Sequence, residues 1–179
     1  SIPKGFTYNG NNQKPTVTIT DPAAPIIADD YDITNAGGVD ANDTNTPTYS
    51  VTITGKRNYT GPVNLTYKIY QRDISPASVT LNQLASYIYD GSAKVPGVRQ
   101  VAFGEEVVST TEYDVTHVNN TNAGTATVTV TGKKNYTGTT SATFTIQKKA
   151  LTSNMITFDH DSFDYDGNNH APVVTMKDM

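Results

Sequence analysis

The chain has 179 residues, a formal net charge of −4, and neither cysteine nor tryptophan. A mild acidity without any basic cluster argues against nucleic acid and anionic membrane surfaces as partners, and no apolar run approaches the roughly 20 residues of a membrane-spanning helix. The missing cysteine excludes a disulfide scaffold, thiolate zinc sites and cysteine nucleophiles.

Thr, Val and Tyr fit a pleated, half-buried surface, and Asn, Gly and Asp supply turns, so the composition reads all-β. No charged, apolar and small-residue leader heads the sequence, which predicts a segment of a longer precursor. The first motif, Phe6-Thr-Tyr-Asn-Gly10, returns as Tyr87-Ile-Tyr-Asp-Gly91 and Phe163-Asp-Tyr-Asp-Gly167. Its tyrosines, Tyr8, Tyr89 and Tyr165, lie 81 and 76 residues apart. Asn-Gly and Asp-Gly pairs suit tight connections, which predicts a hairpin opening each copy.

Five runs then alternate with a period of two and predict strands. They are Pro15-Thr-Val-Thr-Ile-Thr20, Ser50-Val-Thr-Ile-Thr54, Val63-Asn-Leu-Thr-Tyr-Lys-Ile69, Thr127-Val-Thr-Val-Thr131 and Ala142-Thr-Phe-Thr-Ile146. In each the apolar set faces a core and the threonines face solvent. A second signature, Gly55-Lys-Arg-Asn-Tyr-Thr-Gly61, recurs as Gly132-Lys-Lys-Asn-Tyr-Thr-Gly138, 77 residues on. It reads as a hairpin loop whose ring, Tyr59 or Tyr136, plugs the end of a core.

The offsets predict two small β modules, at 1–72 and 73–148, and a truncated start of a third at 149–179. Residues 35–46 read as a surface insertion in the first copy, and 83–86 and 104–111 as insertions in the second. The junctions at 69–74 and 146–151 are not Gly/Ser-rich, which predicts a stiff, end-to-end arrangement. The third copy lacks the second signature. Disorder, pairing with the second module's edge, and completion by a partner chain through strand exchange are its three outcomes.

No catalytic, cofactor-binding or metal residue is assigned. Asp159, Asp161, Asp164 and Asp166 resemble a calcium loop, but Phe163 or Val173 falls where a ligand is required. Asp29, Asp30 and Asp32, echoed by Glu112 and Asp114, read as a solvated loop before a strand. His117, His160 and His170 have no metal-ligand spacing and no nucleophile-elbow serine nearby. Most of the 11 tyrosines fall inside repeated motifs as core or loop plugs, leaving Tyr49, Tyr70 and Tyr87 scattered. The sequons at Asn42, Asn58, Asn64, Asn119 and Asn135 read as turn-forming Asn beside abundant Thr.

Tyr89-Asp-Gly91, Tyr113-Asp-Val115, the run Asn122-Ala-Gly-Thr-Ala-Thr-Val-Thr-Val130 and Gly132-Lys-Lys-Asn-Tyr-Thr-Gly138 together resemble the MBG/YDG-type repeats of secreted and surface-anchored bacterial proteins. The first copy departs from the pattern at residues 35–46. The resemblance implies a non-catalytic, extracellular or cell-surface all-β module. Seven or so short strands suit a small immunoglobulin-like β-sandwich, with a β-grasp-like module as the alternative. The expected function is a stalk or spacer whose partners are neighbouring repeats, with no cofactor. The alternatives are an adhesion module for host glycan or mucin, and an accessory module of a secreted glycan-active enzyme.

Overall fold

The structure, a computed structural model, describes residue 2 and residues 5–41, 49–82 and 86–177. Asn42, residues 43–46 of the first expected insertion, and residues 83–85 of the second lie outside the described residues. In chain order the first strands are β1 (Gly5–Thr7), β2 (Tyr31–Thr34), β3 (Tyr49–Gly55), β4 (Pro62–Tyr70) and β5 (Arg72–Asp73). They are followed by β6 (Ser78–Leu81), β7 (Ser86–Ile88), β8 (Val98–Phe103), β9 (Glu106–Val107) and β10 (Tyr113–Val118). The last are β11 (Gly124–Gly132), β12 (Tyr136–Thr137), β13 (Thr139–Gln147), β14 (Ile156–Phe158) and β15 (Val174–Met176).

The second repeat has two sheets, β6-β8-β9 and β10-β11-β13-β7. Strict alternation in β11 turns Ala126, Val128 and Val130 inward, and β13 adds Phe144 and Ile146; all five are buried. The intervening threonines point away, as the two-residue period of a strand requires. Val130 and Tyr113 of the larger sheet pack with Val101 and Val108 from the facing layer. Leu81 and Val98 pack with Val128 and Phe144. Each fully buried Val or Ile contributes about 1.5–3 kcal/mol. Face-to-face sheets with one shared core form a β-sandwich of broadly immunoglobulin-like kind. Helical structure among the described residues amounts to three three-residue 3-10 turns, at Ala28–Asp30, Thr110–Glu112 and Ser153–Met155, so no helix crosses a sheet as a β-grasp module requires.

The first repeat repeats the larger sheet, in the order β1-β4-β3-β2. Its core is Val51, Tyr67 and Ile69, with Phe6 edge-on to Tyr67 at 5.7 Å and Tyr49 stacked on it at 5.5 Å. In both sheets the outer strand, β1 or β7, runs parallel to its neighbour, β4 or β13.

Three expectations need correction. Residues 15–20 form no strand. The equivalent stretch of the second repeat is β8, whose ladder partner is β6; among the described residues no strand precedes β1 to play that part. A strand needs its ladder as much as its side-chain pattern. The Tyr-[Asn/Asp]-Gly motif is a turn, but it is not a hairpin and does not open the repeat. Asn9, Asp90 and Asp166 each accept from the N–H two residues on, at 2.9–3.0 Å. In the second repeat this Asx turn carries the chain from β7 in one sheet across to β8 in the other. The third copy does not pair with the second module's edge; β14 and β15 pair with each other, antiparallel. They correspond to β6 and β8, the smaller sheet of the sandwich.

Candidate functional site at the junction of repeats

The Gly-Lys-x-Asn-Tyr-Thr-Gly loop is built identically twice. Gly132 N–H donates to Gly138 O at 3.0 Å, and Tyr136 N–H to Lys133 O at 3.1 Å. Gly55 with Gly61, and Tyr59 with Lys56, repeat these bonds at 3.0 and 2.9 Å. Arg57 and Lys134 take left-handed φ values of 53° and 56°. A Cβ on Gly55 or Gly132 would come within 2.9 Å of the returning loop backbone, so the loop closes only with glycine there.

The acidic residues before the loop support it. Asp32 pairs with Lys56 at 2.5 Å, Asp114 with Lys133, and Asp29 with Arg57 at 2.8 Å. Asp30 is buried and accepts from Ile27 N–H at 3.1 Å. Glu112 accepts from Asn135 N–H at 3.1 Å.

The two loops differ in what they meet. In the second repeat the loop receives the first. Asn135, 6% exposed, accepts from Ala41 N–H at 2.6 Å and donates to Asp40 Oδ1 at 3.1 Å. Its carbonyl accepts from Arg72 N–H at 2.9 Å, beside the parallel pairing of β5 with β12. Gln71 Nε2 donates to Lys134 O at 2.8 Å, and Arg72 lies 3.8 Å over the Phe103 ring while pairing with Glu106 at 2.7 Å. Tyr136 is 4% exposed and meets Tyr8 edge-on at 5.4 Å. Burial, reinforced by carboxylates such as Glu112, raises the pKa of Tyr8; burial raises that of Tyr136 too. In the first repeat Asn58 is exposed, and half-buried Tyr59 donates its hydroxyl to Asp21 at 3.1 Å.

Of the remaining candidates, His160 and His170 stack on Phe163 at 5.4 and 5.0 Å and lie 3.2 Å from Asp159 and 2.7 Å from Asp166 on one exposed loop. Asp159 accepts from Val173 N–H at 2.7 Å. Asp166 is held below the ordinary carboxylate range by Asn168 N–H and side-chain amide and by His170. Asp161, Asp164 and His160 are exposed on the same loop. His117 Nε2, on β10, lies 2.9 Å from Pro96 O. No three His, Asp or Glu side chains converge as a metal site among the described residues. Tyr87 packs edge-on to Phe144 at 5.4 Å, Tyr49 on Tyr67, and Tyr70 is exposed. Of the described sequon residues, Asn58, Asn64 and Asn119 are exposed while Asn135 is sealed in the junction. Sequence reasoning missed Asn135 as a contact; the signal available was its place beside Tyr136 in a repeated motif.

The fold and this junction define a repeated all-β module that presents one fixed loop to its neighbour. Residues 77–150 match the family model of the MBG domain, the resemblance that the motifs there carry. No curated protein and no solved structure matches the chain.

Proposed function

We propose that these repeats are a non-catalytic structural spacer of a bacterial cell-surface or secreted protein, setting the distance between a distal domain and its anchor. The observation that carries this reading is the junction at Asn135. One buried side chain and two backbone strands join consecutive repeats, and such a contact fixes orientation instead of leaving a swivel. The partners of this segment are then neighbouring repeats, with no cofactor, nucleic acid or membrane insertion, and its location is extracellular. The concentration of packed tyrosines and paired carboxylates in structural positions supports a non-enzymatic role.

Small-angle scattering tests it. The spacer reading expects an extended profile described by one inter-repeat geometry, broadened by Asn135→Ala. A wild-type profile that needs freely reorienting repeats would overturn it. So would a reproducible glycan-array signal that disappears when residues 35–46 are removed, which would favour adhesion.

A further inference from the structure

Asn9 is the only asparagine of the chain that a glycine follows. It sits in the Asx turn after β1, where its Oδ1 accepts from Asn11 N–H at 3.0 Å. The equivalent turns carry Asp90-Gly91 and Asp166-Gly167. In all three turns both residues are exposed, including those of the second repeat, which has a neighbour on each side. Exposure of this turn is a property of the module.

Asparagine is among the thermolabile residues, because its amide can be lost to its own backbone. The nitrogen of the following residue attacks the side-chain carbonyl carbon and closes a cyclic imide, and a side chain on that residue obstructs the approach. Gly10 has none. It takes φ 75°, and even an added Cβ would meet only the Tyr8 hydroxyl, at 4.0 Å. Among the described residues the Gly10 N–H has no hydrogen-bond partner, so the attacking nitrogen is not tied down. The bond from Asn11 N–H polarises the carbonyl that it attacks.

The other two turns are guarded. Asp90 pairs with Lys94 at 2.5 Å, and Asp166 lies 2.7 Å from His170 Nε2. A carboxylate kept ionised by such partners is a poor electrophile, whereas the Asn9 amide is neutral and needs no protonation before attack.

We propose that Asn9 is a site of spontaneous deamidation in the folded chain, a covalent change that ages the junction between repeats. The Gly10 nitrogen bonds to Asn9 Cγ, the Cγ–NH2 bond breaks, and the proton of Gly10 N–H leaves with the amide as ammonia. Water then opens the imide. Addition at Cγ leaves aspartate, the residue that the other two turns carry. Addition at the main-chain carbonyl leaves isoaspartate, with an extra methylene in the main chain directly after Tyr8. The Tyr8 N–H donates to Tyr70 O at 2.8 Å and its ring rests on Tyr136, so the lengthened backbone disturbs the junction at its aromatic contact. This site follows from the turn's chemistry and stands independently of the spacer reading.

Ageing in neutral buffer made with heavy-oxygen water tests it, read by peptide mass mapping. Asn9 is expected to gain the label several-fold faster than Asn11, Asn12 or Asn168, and an isoaspartate methyltransferase is expected to modify the same peptide. Freshly prepared Asn9→Asp keeps the turn and should melt like the wild type. Faster hydrogen exchange at Tyr8 in the aged wild type, absent from fresh Asn9→Asp, then reports isoaspartate alone. An Asn9 amide that outlasts those of Asn11, Asn12 and Asn168 would overturn the proposal. So would label taken up by a peptide of residues 6–13 but not by the folded chain, since the turn would then protect the amide. Unchanged exchange at Tyr8 in a chain shown to carry isoaspartate would overturn the effect on the junction.

Discussion

Tyr8 and Tyr136, from different repeats, meet edge to face at 5.4 Å with their planes at 76°. Each belongs to one of the two repeated signatures, so the aromatic that marks one repeat's Asx turn is the surface on which the next repeat's loop ring rests. Edge-to-face pairs of this kind contribute about 0.5–1.5 kcal/mol beyond their burial.

Replacing the ring tests the loop's two settings. Tyr136→Ala removes a buried aromatic and is expected to destabilise the second repeat by roughly 3–5 kcal/mol. Tyr59→Ala, at a half-exposed position in an identical loop, is expected to cost about 1–2 kcal/mol. Urea titrations of the two variants compare them directly, and equal losses would contradict the different roles assigned to the loops.

Asn135→Ala leaves Asp40 and the Ala41 N–H without their partner in a half-buried contact. The expected loss is about 1–3 kcal/mol, confined to coupling between repeats. Hydrogen exchange should therefore accelerate at residues 40–41 and 71–73 while β11 and β13 keep their protection. Acceleration spread evenly over the second repeat would point to a core role instead.

Gly61 and Gly138 both sit at φ 80°. A Cβ at Gly61 meets nothing within 4 Å, whereas one at Gly138 runs into Asp73 Oδ1. Gly61→Ala should cost the left-handed penalty alone, about 1–2 kcal/mol. Gly138→Ala should cost more and disturb the β5–β12 pairing. Thermal melts read the difference.

Acid and alkali should act through different groups. Asp73 is held low by Ser75 N–H and hydroxyl, Asp90 by Lys94 and Ser92 N–H, and Asp166 by Asn168 and His170. Depressed carboxylates stabilise the fold above their unfolded pKa of about 3.9, and that stabilisation is lost as pH falls through the lower folded values. Tyr8, Tyr113 and Tyr136 are shifted the other way, chiefly by burial. Their contribution is complete below about pH 10 and is lost as pH rises through the higher folded values. Stability should thus be flat between these limits, and phenolate absorbance should rise together with unfolding at the alkaline end. Ionisation of these three rings in a still-folded protein would contradict their burial.

The sequence was most legible where one strand's pattern sufficed. Val128 and Val130 alternate with threonines, and both are buried as that pattern requires. It was least legible where a strand depends on a distant partner. Val17 and Ile19 carry the same alternation, yet residues 15–20 form no strand, because period two states a preference for a face and says nothing about the ladder beside it. The Asx turn was legible as a turn, but the destination of the chain after Asp90 is set by sheet packing. The junction contact of Asn135 with Asp40 joins residues 95 positions apart, and no local pattern encodes such a pair.

The parallel pairing of β7 with β13, and of β1 with β4, has a mechanical consequence. In each sheet an early strand of the repeat lies beside its last long strand, both pointing the same way. Tension applied through the two chain ends drags these neighbours in opposite directions along their length. The ladder bonds between them are then loaded together, in shear, and cannot open one at a time from an end. Forced unfolding is governed by the unfolding rate, so short strands arranged in this way resist pulling more than their length or the repeat's modest core would indicate.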